Sequence, residues 1–168
     1  MKPILFILTL VLFAGAFVAS TFAASPATAA FHQLQSLAGN WEGTGDDGMK
    51  VKSTFQLIAG NTAVMETLAM SGMDAMVSLY SVDGSSITLV HYCPTNNQPR
   101  LRAIPPAGEV KRLVFTFESA GNLPDVTVGH EYRLIIDFPD KDHIVEHWTW
   151  RQNGKDTESI CHLERKGV

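Results

Sequence analysis

Four polar side chains stand at alternating positions among apolar neighbours, and their chemistry demands an account. Glu66 lies between Val64 and Leu68, His91 follows Leu89, His130 precedes Tyr132 and Leu134, and Glu146 sits between Ile144 and Trp148. Alternation places each on the apolar face of a strand. A polar group buried there without a partner costs several kcal/mol, so each must pair, meet water or meet a ligand. Carboxyl and imidazole groups can exchange protons, so one reading is a hydrolase or isomerase in which His91 acts with Glu66 or Glu146. A second makes the four groups the convergent polar points of an otherwise apolar small-molecule site. A third is structural: Arg100 neutralises Glu66 or Glu146, and the histidines bond backbone carbonyls.

Arg100 closes the run Asn96-Asn97-Gln98-Pro99-Arg100, which falls between two strands at a rim. A guanidinium there, with Asn97 and Gln98, can clamp a carboxylate or phosphate. With His91 it would meet the polar end of a ligand, while Trp148 lines the wall. The two cysteines, Cys93 and Cys161, suit one disulfide in an oxidising compartment. The alternatives are two inert thiols, or a nucleophilic Cys93 beside His91. That couple is i, i+2 on one strand, roughly 6.5–7 Å apart at Cα, which makes direct hydrogen bonding awkward. The six histidines form no zinc spacing, and His143 and His147 are too far apart on a strand to chelate. His162 falls on an outward face among charged neighbours. Core filling accounts for Met49, Met65, Met70, Met73 and Met76. No nucleophile elbow, glycine-rich phosphate loop or paired-carboxylate motif is present, so no catalytic residue and no cofactor is assigned.

The elements that position these groups follow from periodicity. Ser25-Pro26 reads as an N-cap with proline at N1, and Gly39 as a helix stop, so 27–37 is expected to be a short helix. After Gly39 the apolar period changes from about 3.6 to 2. Strands are expected at 40–46, 49–58, 62–70, 74–82, 85–93, 99–104, 110–118, 129–138, 143–151 and 155–165. Asp83-Gly84 and Asn153-Gly154 suit two-residue hairpin turns. The only long connection expected is 119–129. Pairing across Asn153-Gly154 sets Trp150 against Thr157, Trp148 against Ser159 and Glu146 against Cys161, with both tryptophans inward. Ten sequential antiparallel strands remove their edges most economically as an up-and-down barrel. The expected fold is therefore all-β, a ten-stranded antiparallel barrel behind a short N-terminal helix.

Two segments carry a family resemblance. Leu37-Ala-Gly-Asn-Trp41-Glu-Gly43-Thr-Gly45 resembles the opening of the calycins, the lipocalin-like barrels, and its Trp-x-Gly-x-Gly form is similar to the nitrobindin-like branch. The stretch Leu89-Val-His91-Tyr-Cys93-Pro-Thr-Asn96-Asn97-Gln98-Pro99-Arg100, with His143-Ile-Val-Glu146-His-Trp148-Thr-Trp150, resembles a family of exported bacterial proteins of unknown function. The resemblance implies a calycin-type barrel that binds a small molecule. Its nitrobindin-like side implies haem as an alternative ligand, with His130 or His162 as the position to test.

Composition supplies the remaining expectations. The chain of 168 residues is 45% hydrophobic and 18% charged, poorer in charge than an average soluble domain. No Asp, Glu, Lys or Arg lies between Pro3 and Glu42. Met1-Lys2, the apolar run to Val18 and the small residues around Ala23 read as a secretory signal peptide over 1–23, leaving one barrel domain over 24–168. The uncleaved alternative is a membrane anchor, barely long enough to span. The protein is expected in the periplasm or outside the cell, with no membrane attachment after cleavage. A net charge of −4 without a basic block argues against nucleic acid as partner. The expected partner is a small amphipathic or acidic molecule; composition gives no oligomeric state.

Overall fold

The computed structural model describes residues 24–167, so the segment expected to be a signal peptide, 1–23, lies outside the described residues. Helix α1 (Pro26–Gln35) starts where Ser25 accepts the Thr28 N–H on its hydroxyl at 3.1 Å. It stops two residues earlier than its apolar pattern suggests. Leu37 instead turns in, with its N–H on the Leu34 carbonyl at 3.1 Å, and Gly39 takes φ +130°. Ala27, Ala30, Phe31 and Leu34 are buried, and the helix packs against the strands Met76–Asp83 and Ser86–Tyr92.

Ten antiparallel strands then close into a barrel in the order β1-β10-β9-β8-β7-β6-β5-β4-β3-β2. They are β1 (Gly39–Gly45), β2 (Lys50–Ile58), β3 (Ala63–Met70), β4 (Met76–Asp83) and β5 (Ser86–Tyr92), then β6 (Gln98–Ala103), β7 (Arg112–Gly121), β8 (His130–Asp137), β9 (His143–Gln152) and β10 (Lys155–Lys166). Every sequential pair is a hairpin, and β1 with β10 makes the closing seam. The seam is tight at Gly43, opposite Leu163, where any side chain would collide with the His162 carbonyl.

The Asn153-Gly154 turn has the positive φ angles of a type I′ hairpin, 51° and 71°, and sets the expected pairs Trp150–Thr157, Trp148–Ser159 and Glu146–Cys161. The β4–β5 turn is centred on Gly84-Ser85 instead of Asp83-Gly84, because Asp83 pairs with Ser86. A slip of one residue in the turn moves every pair by two positions, so the faces are kept. His91 lies opposite Ser78, and Leu89 opposite Tyr80. The connection 104–111 is a second long loop, which the sequence pattern assigned partly to strands.

One end of the barrel is filled. Trp41 is buried there, its indole N–H on the Leu37 carbonyl at 2.8 Å. Arg165 lies over its ring at 4.3 Å and donates to the Ala38 and Ser36 carbonyls at 3.0 and 2.8 Å. This one guanidinium stitches the last strand to the end of α1. Phe55, Val64, Leu101, Leu113 and Phe115 continue the core inward. The other end is hollow.

Candidate functional site

The hollow end encloses about 630 Å³. Its walls are apolar over much of their area, with Val51, Leu68 and four methionines, Met49, Met70, Met73 and Met76. Four of the five methionines expected to fill the core thus line the cavity. Unbranched thioethers make a deformable surface that adapts to a guest. Trp148, Trp150 and Cys161 complete the opposite wall, with His91 between.

His91 is fully shielded, at 1% exposure. Its Nδ1 shares a hydrogen bond with Ser78 Oγ at 3.0 Å, and its ring meets the Trp148 indole at 4.8 Å between centroids. Its Nε2 has no partner. Burial pulls its pKa down to about 4, so the ring is neutral at pH 7.

Glu66 and Glu146 sit behind this surface, each at 0% exposure, and neither lines the cavity. Glu66 accepts the Ser53 hydroxyl on Oε1 and the Tyr80 hydroxyl on Oε2, both at 2.8 Å. Glu146 accepts the Trp148 indole N–H on Oε2 at 3.1 Å, while Oε1 makes no well-formed hydrogen bond. Burial, and then the neighbouring Glu66 charge, hold the Glu146 pKa well above the carboxylate range. Glu66 is raised by burial but is held towards the charged state by the Tyr80 and Ser53 hydroxyls. Burial first and the Glu66 charge second push the Tyr80 phenol up as well. A pair of buried carboxyls thus stands behind the wall. It braces Trp148 through Glu146, and Tyr80 through Glu66. These carboxyls do not touch the cavity space, so their arrangement orients the wall.

Among the acids that do line the cavity, the most shielded is Glu131, which sequence alternation places outward. Strand β8 carries an irregularity at Tyr132: Glu131 pairs with Trp150 but Arg133 pairs with Thr149. The extra residue reverses the faces on its N-terminal side. Glu131 therefore joins the wall beside Trp150, while His130 is carried opposite Arg151. Glu131 Oε2 is buried without a hydrogen-bond partner, and burial raises its pKa to about 7. A bulge has no compositional signature in His130-Glu131-Tyr132, so nothing in the sequence could have found it.

The remaining sequence candidates lie elsewhere. His130 is buried but away from the cavity lining, packed on Phe117 at 4.7 Å with Nδ1 on the Val128 carbonyl at 2.7 Å. His162 is on the surface, its Nε2 3.0 Å from Asp46 Oδ1. Arg100 is exposed on the outer face of β6, because Pro99, Leu101 and Ala103 take the inner one. Arg102 is also outside, paired with Asp83 and Glu118 at 3.0 and 2.8 Å. Asn97 is buried as a loop brace, donating to the Gly129 carbonyl at 2.9 Å. Cys93 and Cys161 are both free, which corrects the disulfide expectation. Strands β5 and β10 are five places apart around a ring of ten, on opposite walls. Cys93 instead meets the Thr95 hydroxyl at 2.6 Å, and burial pushes the Cys161 thiol up to about 12.

No family model and no curated protein matches the sequence. Solved structures do resemble the fold. Rv2717c from M. tuberculosis superposes with a TM-score of 0.60 at 15% identity, covering 84% of this chain and 99% of that one. A DUF3598-family protein of unknown function from Nostoc punctiforme superposes with a TM-score of 0.54 at 12% identity, covering 80% of this chain and 49% of its own. The chain is similar in fold to these proteins, and its architecture is a closed ten-stranded antiparallel barrel.

Proposed function

We propose that the protein is an exported small-molecule-binding barrel that holds an amphipathic ligand in the cavity at its open end. The observation that carries this reading is the pair of unpartnered buried atoms on the cavity wall, His91 Nε2 and Glu131 Oε2. A protein interior satisfies nearly all such atoms, and those left over need a reason. A guest that presents polar hydrogens or lone pairs to them, and apolar surface to the methionines and indoles, supplies one. Export is inferred from the signal-like segment over 1–23. A resident cofactor is not part of the proposal.

The test uses the environment-sensitive, neutral probe N-phenyl-1-naphthylamine. Its emission should rise on binding, with energy transfer from Trp148 and Trp150. Substituting Met70→Trp should narrow the cavity and weaken the response while leaving the far-UV circular dichroism spectrum unchanged. A probe that binds both proteins equally, or neither, would overturn this reading.

A further inference from the structure

We propose that the cavity selects cationic amphiphiles, amines carrying an aromatic or alkyl body, over neutral or acidic ones. The inference rests on the ligand-binding reading above and names the ligand class. It starts from a one-sided wall. Four acids, Asp46, Asp47, Glu131 and Glu158, line the cavity, and no Lys or Arg does. Arg100, the group that suggested an acidic ligand, stands outside.

The acids differ in how far they are already used. Asp46 meets His162 at 3.0 Å, Asp47 accepts the Met49 N–H at 2.9 Å, and Glu158 lies 4.0 Å from His147. All three are exposed. Glu131 alone is half-buried with a fully shielded oxygen, Oε2, and no cation among the described residues answers its charge. A buried carboxylate without a partner is costly, and an ammonium group from a guest removes that cost.

The surroundings suit the same guest. Glu131 lies directly opposite Trp150 in the β8–β9 ladder, and Trp148 follows on the same face of β9. Indole faces are the best aromatic surface for a cation. His91 cannot compete for Glu131 as a cation, because it stays neutral at pH 7. Its free Nε2 adds a neutral polar contact. An anion would meet the acids and find no compensating charge on the wall.

Three probes with one fluorophore test the proposal: dansylcadaverine, which is cationic, dansylamide, which is neutral, and dansylglycine, which is anionic. On the wild-type protein dansylcadaverine should bind about tenfold tighter than dansylamide, with dansylglycine weakest. Glu131→Gln should bring dansylcadaverine to the affinity of dansylamide and leave dansylamide unchanged. Equal binding of the three, or dansylglycine binding tightest, would overturn charge selection while leaving small-molecule binding intact. A cation preference that survives Glu131→Gln would overturn the assignment to Glu131. Binding of none of the three would remove the ligand-binding reading and this inference with it. The wild-type comparison needs no variant, so it decides charge selection even if Glu131→Gln folds poorly.

Discussion

At the level of single residues, His91 and Glu131 tie the cavity to pH with opposite signs. Burial lowers the His91 pKa to about 4, against 6.5 for an exposed imidazole. Below pH 6.5 the unfolded chain takes a proton that the folded chain refuses. Stability is therefore lost as pH falls from 6.5 towards 4, by at most about 3 kcal/mol. Because Glu131 acts oppositely over the same range, the His91 contribution is read by difference: from pH 7 to pH 4.5 in urea unfolding, His91→Gln should lose less stability, or gain more, than the wild type. Glu131 works the other way. Its pKa of about 7 lies above the ordinary 4.5, so the folded form holds the proton longer than the unfolded form does. Stability falls as pH rises from 4.5 through 7. Glu131→Gln should therefore raise stability at pH 8 by up to about 3 kcal/mol and leave it nearly unchanged at pH 4.5, as read from thermal melts. A site residue whose removal stabilises the fold is a residue kept for binding.

At the level of elements, the barrel depends on close approaches that tolerate no added atom. Gly43 faces the His162 carbonyl across the seam, so Gly43→Ala must push β1 from β10. A loss of about 3 kcal/mol or more is expected, or failure to fold, measured by equilibrium unfolding. The same level shows what could be read from the residues alone. Asn153-Gly154 dictates its turn, and from it the faces of Trp148, Glu146 and Cys161 follow without tertiary information. Between β4 and β5 the turn is shifted, yet a hairpin slip keeps parity, so Ser78, Tyr80 and His91 still share a face. Pro99, Leu101 and Ala103 already mark the inner face of β6, which leaves Arg100 outside. The bulge at Tyr132 is different in kind. One extra residue exchanges His130 for Glu131 at the cavity, and it is set by how β8 curves against β9. Arg165 was invisible for a similar reason: its partners Trp41, Ser36 and Ala38 are more than 120 residues away and meet it only after closure.

At the level of the whole molecule, the two ends of the barrel do different work. Helix α1 and the Trp41–Arg165 stack close one end, and the cavity occupies the other. The thiols report this geometry. Cys93 stands partly exposed in the β5–β6 loop and Cys161 is buried on the far wall. Native protein should react with one equivalent of iodoacetamide, at Cys93, and unfolded protein with two, as counted by mass spectrometry. The melting temperature should be the same with and without dithiothreitol.

The seam between the first and last strands also governs when the chain can be finished. Gly45 pairs with Cys161, so the ring closes across more than 110 residues. While a ribosome is still making β10, β1 and β9 each present an unpaired edge, and loop closure cannot occur. A nascent chain in that condition stays open until β10 emerges to pair with both edges. Ending the chain at Asn153 should fix it permanently in that state: an aggregation-prone, protease-sensitive polypeptide in place of a smaller barrel.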